Sequence, residues 1–481
     1  MTAQPLRSRR ATTVFIVVAA SALGLATLLL LDLREALALV LTVTFVVLAF
    51  VAPRAVIPMA ILWSVVLSGV RRVMTAVVDS TPSADVLVAV VPITVVVLSL
   101  VAARRGALAD RSSTTNALLV LLAIAGAGAL NPSQGGLLAG FSGLIFFGIP
   151  LLWFLVGRSL ADERVVRRVL VLTGVASLFV AVYGLAQVDG FFFAHDLRWI
   201  DESAFNTITF GGAVRPFATL TSPGEYGRFL AVGLAVIVAW WLERGIFSRR
   251  AIVVPAVALL SIAIFLSSVR TAVVVAVIAV AAMFAVRRRA RLGVAALLGV
   301  AGLAGLVLVV GWIAGPGSGE RADTFVERQT AGLSQPFDDS SSNANLRLTF
   351  LIDAIADSAD APLGQGTAYT TPASKRFGDD AQTAETDFGD VALSWGIFGL
   401  VTYVALVVLA GRQAYELALR RRDWITVAIV GVLAAAFLQW INGGLYAIAP
   451  VVWLLLGWVD GELTRTQRWP PPLRSLETSS A

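Results

Sequence analysis

Cysteine is absent from the 481 residues. That excludes disulfides, thiolate metal sites and cysteine nucleophiles. Histidine occurs once, as His195, so neither a His-rich metal site nor a haem pocket with two axial imidazoles can be built. Lysine also occurs once, as Lys375, and arginine supplies the rest of the basic charge. Charged residues make up only 14% of the chain against 58% hydrophobic. A soluble protein of this length would carry far more charge.

What is present is a succession of apolar stretches of about 16–23 residues, close to the ~20 that a spanning helix needs. The fold class expected is all-α, a polytopic transmembrane bundle of about 12–14 spans. Candidate spans are 12–31, 36–52, 55–70, 86–103, 114–130, 137–157, 169–187, 228–243, 251–267, 271–286, 292–314, 391–411, 424–441 and 445–459. The expected organisation is a first bundle, 1–314, with an external loop at about 189–227, then a large external loop, 315–390. C-terminal membrane helices at 391–460 and a disordered cytoplasmic tail at 461–481 complete it.

The net charge of +6 comes from arginines between apolar runs. This is where the positive-inside rule places cytoplasmic loops, so it argues for topology and not for nucleic acid. Arg104/Arg105, Arg158/Arg164/Arg167/Arg168, Arg287–Arg289 and Arg420–Arg422 fall on one side. Both termini are then cytoplasmic. Arg71 and Arg72 fall on the other side, against the rule.

One run holds an arginine in its middle: IAIFLSSVRTAVVVAV, with Arg270. From Ala251 to Val286 there are 36 residues. A single helix of that length would be roughly 54 Å long, well beyond a ~30 Å hydrocarbon core. Two spans joined by a tight external turn at Ser267–Arg270 fit better. An interfacial anchor is the ordinary role of such an arginine. The planar guanidinium beside two serines also suits phosphate oxygens. Arg215, in Val214–Arg215–Pro216, enters the preceding external stretch ahead of TLTSPGEYG, whose small hydroxyl residues before a helix start favour anions.

The long loop contains NANLRLTFLIDAIADSAD, residues 343–360, with Leu348, Leu351, Ile352 and Ile355 on one face. That periodicity predicts an amphipathic helix, lying on the membrane surface or packing the loop. Arg347 on it can reach a sugar or phosphate, or be a plain surface charge. Gly364 and Gly366 predict a tight turn, Gly396 and Gly399 close helix packing. His195, in FFFAHDLRW, reads as structural or interfacial.

Together, RPFATLTSPGEYGRFLAVGL, LSSVRTAVVV, NLRLTFLIDAIADSADAPLGQG and ETDFGDVALSWGIFGL resemble, in order and topology, the O-antigen ligase and Wzy-type O-antigen polymerase family of membrane glycosyltransferases. The resemblance spans roughly 205–400. It implies a donor glycan on a polyprenyl diphosphate, a glycan or lipid acceptor and membrane lipids as partners, with no nucleic acid and no cofactor. It also implies the cytoplasmic membrane, with the active face external. The leaving diphosphate needs cations, for which Arg215, Arg270 and Arg347 are the candidates, and a metal is not required if they carry the charge. The acceptor hydroxyl needs a base, for which Glu385 and Asp387 are the candidates. In the ligases the last motif begins with histidine, and counting back from Gly396 places Glu385 there. That departure favours a polymerase, with a ligase as the alternative. A lipid or polysaccharide transporter would instead carry ionisable residues mid-span.

Overall fold

The computed structural model describes residues 32–79, 85–202, 208–210, 212–244, 250–288, 320–335, 344–377, 386–437, 439–441 and 446–468. The candidate spans 12–31 and 292–314, and Glu385, lie outside the described residues. The architecture is all-α. Among the described residues, eight helices are long and apolar enough to cross a membrane, and shorter apolar helices pack among them. Every candidate span on the described residues meets a helix.

In chain order the elements begin with α1 (Leu33–Val51), α2 (Pro53–Val78), α3 (Val90–Arg104) and α4 (Ser113–Gly128). The next span is broken by Gly148 and Pro150 into α5 (Leu137–Phe146), α6 (Gly148–Leu151) and α7 (Trp153–Leu160). Then come α8 (Glu163–Val188), α9 (Ala194–Glu202) and a short antiparallel pair, β1 (Thr209–Phe210) and β2 (Ala213–Val214). Helices α10 (Pro223–Arg244), α11 (Arg250–Leu266) and α12 (Arg270–Arg288) follow. Next are α13 (Glu320–Ser334), α14 (Ala344–Asp360), α15 (Pro372–Phe377), α16 (Asp387–Arg421), α17 (Trp424–Ala435) and α18 (Ala449–Arg468). Helix α18 runs past residue 460, so 461–468 is helical and not part of a tail.

Small residues set the closest crossing. A Cβ on Gly157 of α7 would sit 2.0 Å from the Leu454 carbonyl oxygen of α18, and one on Gly457 would sit 1.9 Å from that of Phe154. Only backbone against backbone fits there, as in small-residue membrane interfaces. Below the crossing, Asp460 is fully buried. It pairs with Arg158 Nε at 2.7 Å and accepts hydrogen bonds from Ser112 Oγ at 2.5 Å, Thr115 Oγ1 at 3.0 Å and Gln413 Nε2 at 2.9 Å. Four donors on one carboxylate compensate for its removal from water.

The helices alternate in direction, which sorts the arginines. Arg158, Arg287, Arg421 and Arg465 gather at the Asp460 end, where Arg421 pairs with Glu163, Asp423 and Glu462. Arg34, Arg71 and Arg72 lie at the other end and all are tied into buried ion pairs. Arg34 and Arg71 share Asp85, while Arg72 Nε meets Asp196 at 2.9 Å. Arg71 and Arg72 break the charge rule because they are internal structure, not loop charge.

Candidate functional site

At that second end, the turn between α11 and α12 is Ser267–Ser268–Val269. Ser268 adopts φ +56°, a left-handed conformation that costs a non-glycine residue energy. Ser267 N closes on Ala263 O at 3.0 Å, and Ser267 Oγ accepts from Val269 N at 3.2 Å. The carbonyls thereby turn outward, and Arg215 Nη2 donates to Ser268 O at 3.0 Å and Ser267 O at 3.4 Å. The two arginine stretches singled out in the sequence meet here.

Arg215 is itself held through the residues just after it. Gln187, buried at the end of α8, accepts from Phe217 N at 3.0 Å and Ala218 N at 2.8 Å through Oε1. Its Nε2 donates to Asp196 Oδ2 at 3.3 Å. Arg72 donates to Leu220 O at 2.8 Å and to Ala218 O, and lies over the Phe217 ring at 4.8 Å. Tyr183 donates to Asp196. Ala218 itself has φ +47°. The loop after Arg215 is therefore fixed by an Arg72–Asp196–Gln187 network from α2, α8 and α9. His195 stacks on Phe193 at 5.3 Å and comes within 3.7 Å of Asp196.

Four arginines converge on the turn. Burial, then Arg328, Arg347 and Arg270 in that order, push the Arg215 guanidinium down to about 10. Burial and Arg270 also lower Arg328. Arg215, Arg270 and Arg347 are thus brought within electrostatic reach of one another, and Arg328 on α13 joins them. Like charges this close favour an anion among them. Arg270 lies under α13. A Cβ on Gly332 would sit 1.8 Å from Arg270 Nε, so the guanidinium occupies the space a side chain would need.

The other candidates are placed differently. Asp387 is fully buried, and accepts from Tyr403 at 2.8 Å, from Ile441 N at 3.0 Å and from Trp440 N. Its carboxylate engages the backbone that leaves α17. Glu225, in the first turn of α10, does the same from the opposite side, accepting from Thr221 N at 2.9 Å and Ala447 N at 3.1 Å. Two buried carboxylates thus fasten the connection between α17 and α18.

The Pro362–Gly366 turn docks on a break in α16. Gly396 has φ +65° inside the helix, and its Cβ would lie 2.1 Å from Pro362 O. The break frees two carbonyls, and Gln365 N and Gly366 N bind Leu393 O and Ser394 O at 2.9 and 3.0 Å. Gly364 and Gly366 take φ +72° and +110°, as a tight turn requires. Helix α14 sets Ala354 and Ser358 inward and leaves Leu348, Ile352 and Ile355 exposed.

Residues 255–404 match the family model described as O-antigen ligase. The match starts within α11 and runs through the Ser267–Arg270 turn, α13, α14 and the Gly396 break, while Arg215 precedes it. No curated protein matches the chain.

Proposed function

We propose that this chain, whose residues 255–404 match the family model described as O-antigen ligase, is a membrane glycosyltransferase taking its glycan from a polyprenyl diphosphate at the external face of the cytoplasmic membrane. The observation that carries the reading is the cluster of Arg215, Arg270, Arg328 and Arg347 at one end of the bundle. A diphosphate is the anion that such a cluster suits: several forked donors meet several oxygens, with charge matched to charge. Side chains from α12, α13, α14 and the Arg215 loop would close on it together.

In the reaction, an acceptor hydroxyl oxygen attacks the anomeric carbon of the donor sugar. The bond from that carbon to the diphosphate oxygen breaks, and the diphosphate leaves with the electron pair. The arginines stabilise that gathering charge, which is where preorganised cations contribute most. The hydroxyl proton passes to a carboxylate. Asp387 is engaged by Tyr403, Trp440 and Ile441, so we assign it to positioning and leave the proton to Glu385. The tail of the donor would lie in an apolar crevice lined by Leu67, Val91, Val95, Phe146, Ile149 and Trp153.

Glu385 in place of the ligases' histidine favours polymerisation of repeat units. The family description favours transfer to a separate acceptor, as a ligase does. Reconstitution with a lipid-linked oligosaccharide separates the two: a ladder of lipid-linked products marks a polymerase, a single transfer a ligase. Arg215→Ala and Arg270→Ala are each expected to abolish product at unchanged protein level. Full activity in both variants would remove the arginine site.

A further inference from the structure

Gln329 lies on α13 directly after Arg328 and one turn before Gly332. Its side chain is completely buried, and both Oε1 and Nε2 lack a hydrogen-bond partner among the described residues. Residues three apart on a helix are neighbours on one face, so Gln329 shares the face on which Gly332 meets Arg270. It also interrupts the apolar stripe of Phe325 and Leu333, which packs on Phe265 and Leu266 at the end of α11. An apolar residue would serve that stripe better. Burying an amide with nothing bound to it is costly.

Ser268 repeats the pattern across the turn. Its Oγ is buried without a partner among the described residues, although its carbonyl holds Arg215. Two neutral polar groups thus lack a partner among the described residues, one on the turn that holds Arg215 and one on the helix that carries Arg328.

The chemistry of the amide narrows the choice of ligand. A phosphate oxygen at neutral pH only accepts, and would use Nε2 while leaving Oε1 stranded. A sugar hydroxyl both donates and accepts, and neighbouring hydroxyl or acetamido groups on a ring can satisfy Oε1 and Nε2 together. We propose that Gln329 is a specificity-determining residue that hydrogen-bonds the sugar next to the diphosphate, while the arginines hold the diphosphate itself. This rests on the assignment of the arginine cluster to a diphosphate. Helix α13 then carries both halves of donor recognition, charge at Arg328 and sugar at Gln329.

The test compares binding of two lipids to the full-length protein in nanodiscs. One is a polyprenyl diphosphate without sugar, and the other is the same lipid bearing N-acetylglucosamine, N-acetylgalactosamine or galactose. Gln329→Met keeps the volume and removes the amide. It is expected to weaken the best-bound sugar-bearing lipid by about tenfold or more and leave the sugar-free lipid within about twofold. The Tm of the empty variant should equal or exceed that of the wild type, since an unpartnered amide has been removed. Should Gln329→Met not fold, Gln329→Asn, which keeps the amide but withdraws it, is measured on the same lipids with the same split expected. Equal losses for both lipids, no loss for either, or a wild type that binds the sugar-bearing lipids no more tightly than the bare one would overturn the assignment and leave the diphosphate site standing. A wild type that binds neither lipid removes the diphosphate reading, and this assignment with it.

Discussion

Arg72 and Arg215 are both buried guanidiniums, with different neighbours. Arg72 faces Asp196 in the interior. Asp196→Ala leaves that guanidinium buried without its carboxylate, and should destabilise the protein by about 3–5 kcal/mol. Arg72→Met combined with Asp196→Leu should cost clearly less, and denaturation of the purified protein distinguishes them. Arg215 is buried and faces other arginines, and burial first, then their charge, makes it hold its proton less firmly. At neutral pH it is charged. With its folded value near 10 and its unfolded value higher, the strain it adds is present below pH 10 and fades as pH rises above it. A diphosphate bound there, as proposed, would restore the proton's hold. Affinity for polyprenyl diphosphate should therefore be flat near neutrality and fall as pH passes about 10, with Arg215→Ala losing that step. Arg270 could be read from the sequence because it opens a helix beside two serines, and Arg215 because it precedes the hydroxyl-rich stretch that leads into α10. Arg72 looked misplaced because its partner, Asp196, is far away along the chain. Arg328 and Gln329 belong to a helix outside all four stretches that carry the family resemblance. The signal that could have found Gln329 is a lone amide at helical spacing between Phe325 and Leu333.

Single helices were legible where length and hydrophobicity decide, and illegible where a loop decides. The run from Ala251 to Val286 had to fold back on itself because one straight helix would overshoot the bilayer, and it does so at Ser267–Val269. From the sequence the break of α16 at Gly396 is visible only as a site of close packing, because its cause is the distant Pro362–Gly366 turn. Gly396→Ala places a Cβ against Pro362 O in a left-handed backbone, and should destabilise by about 3 kcal/mol or more in thermal denaturation. Gly332→Ala is different in kind. The atoms in its way are the flexible end of Arg270, so the fold should survive while the guanidinium is displaced. Transfer activity is expected to drop by about tenfold or more with Tm little changed. The outward apolar stripe of α14 resolves the two readings of that helix toward neither alone: it packs by Ala354 and Ser358 and still presents Leu348, Ile352 and Ile355 outward.

Across the whole molecule, the lack of cysteine makes sidedness directly measurable. Single cysteines placed at exposed Leu363 or Ile352 should react in intact cells with a membrane-impermeant maleimide. Cysteines at Glu416 or Arg465, at the other end, should react only after permeabilisation. The opposite pattern would invert the proposed orientation. The bundle as a class was evident from composition, but its closure was not, because the contacts that close it link distant parts of the chain. Gln134 Oε1 accepts from Ala368 N at 2.9 Å across 234 positions, Thr367 Oγ1 donates to Ala125 O at 2.6 Å, and Asn131 Nδ2 donates to Gly364 O at 2.9 Å. During synthesis the end of α4 therefore enters the membrane long before its partners leave the ribosome. Until then Gln134 and the carbonyls around it must be shielded by water, headgroups or an insertion factor. Chains that stop short of the Pro362–Gly366 turn can never complete that end, which makes it a natural point at which quality control would tell finished molecules from unfinished ones.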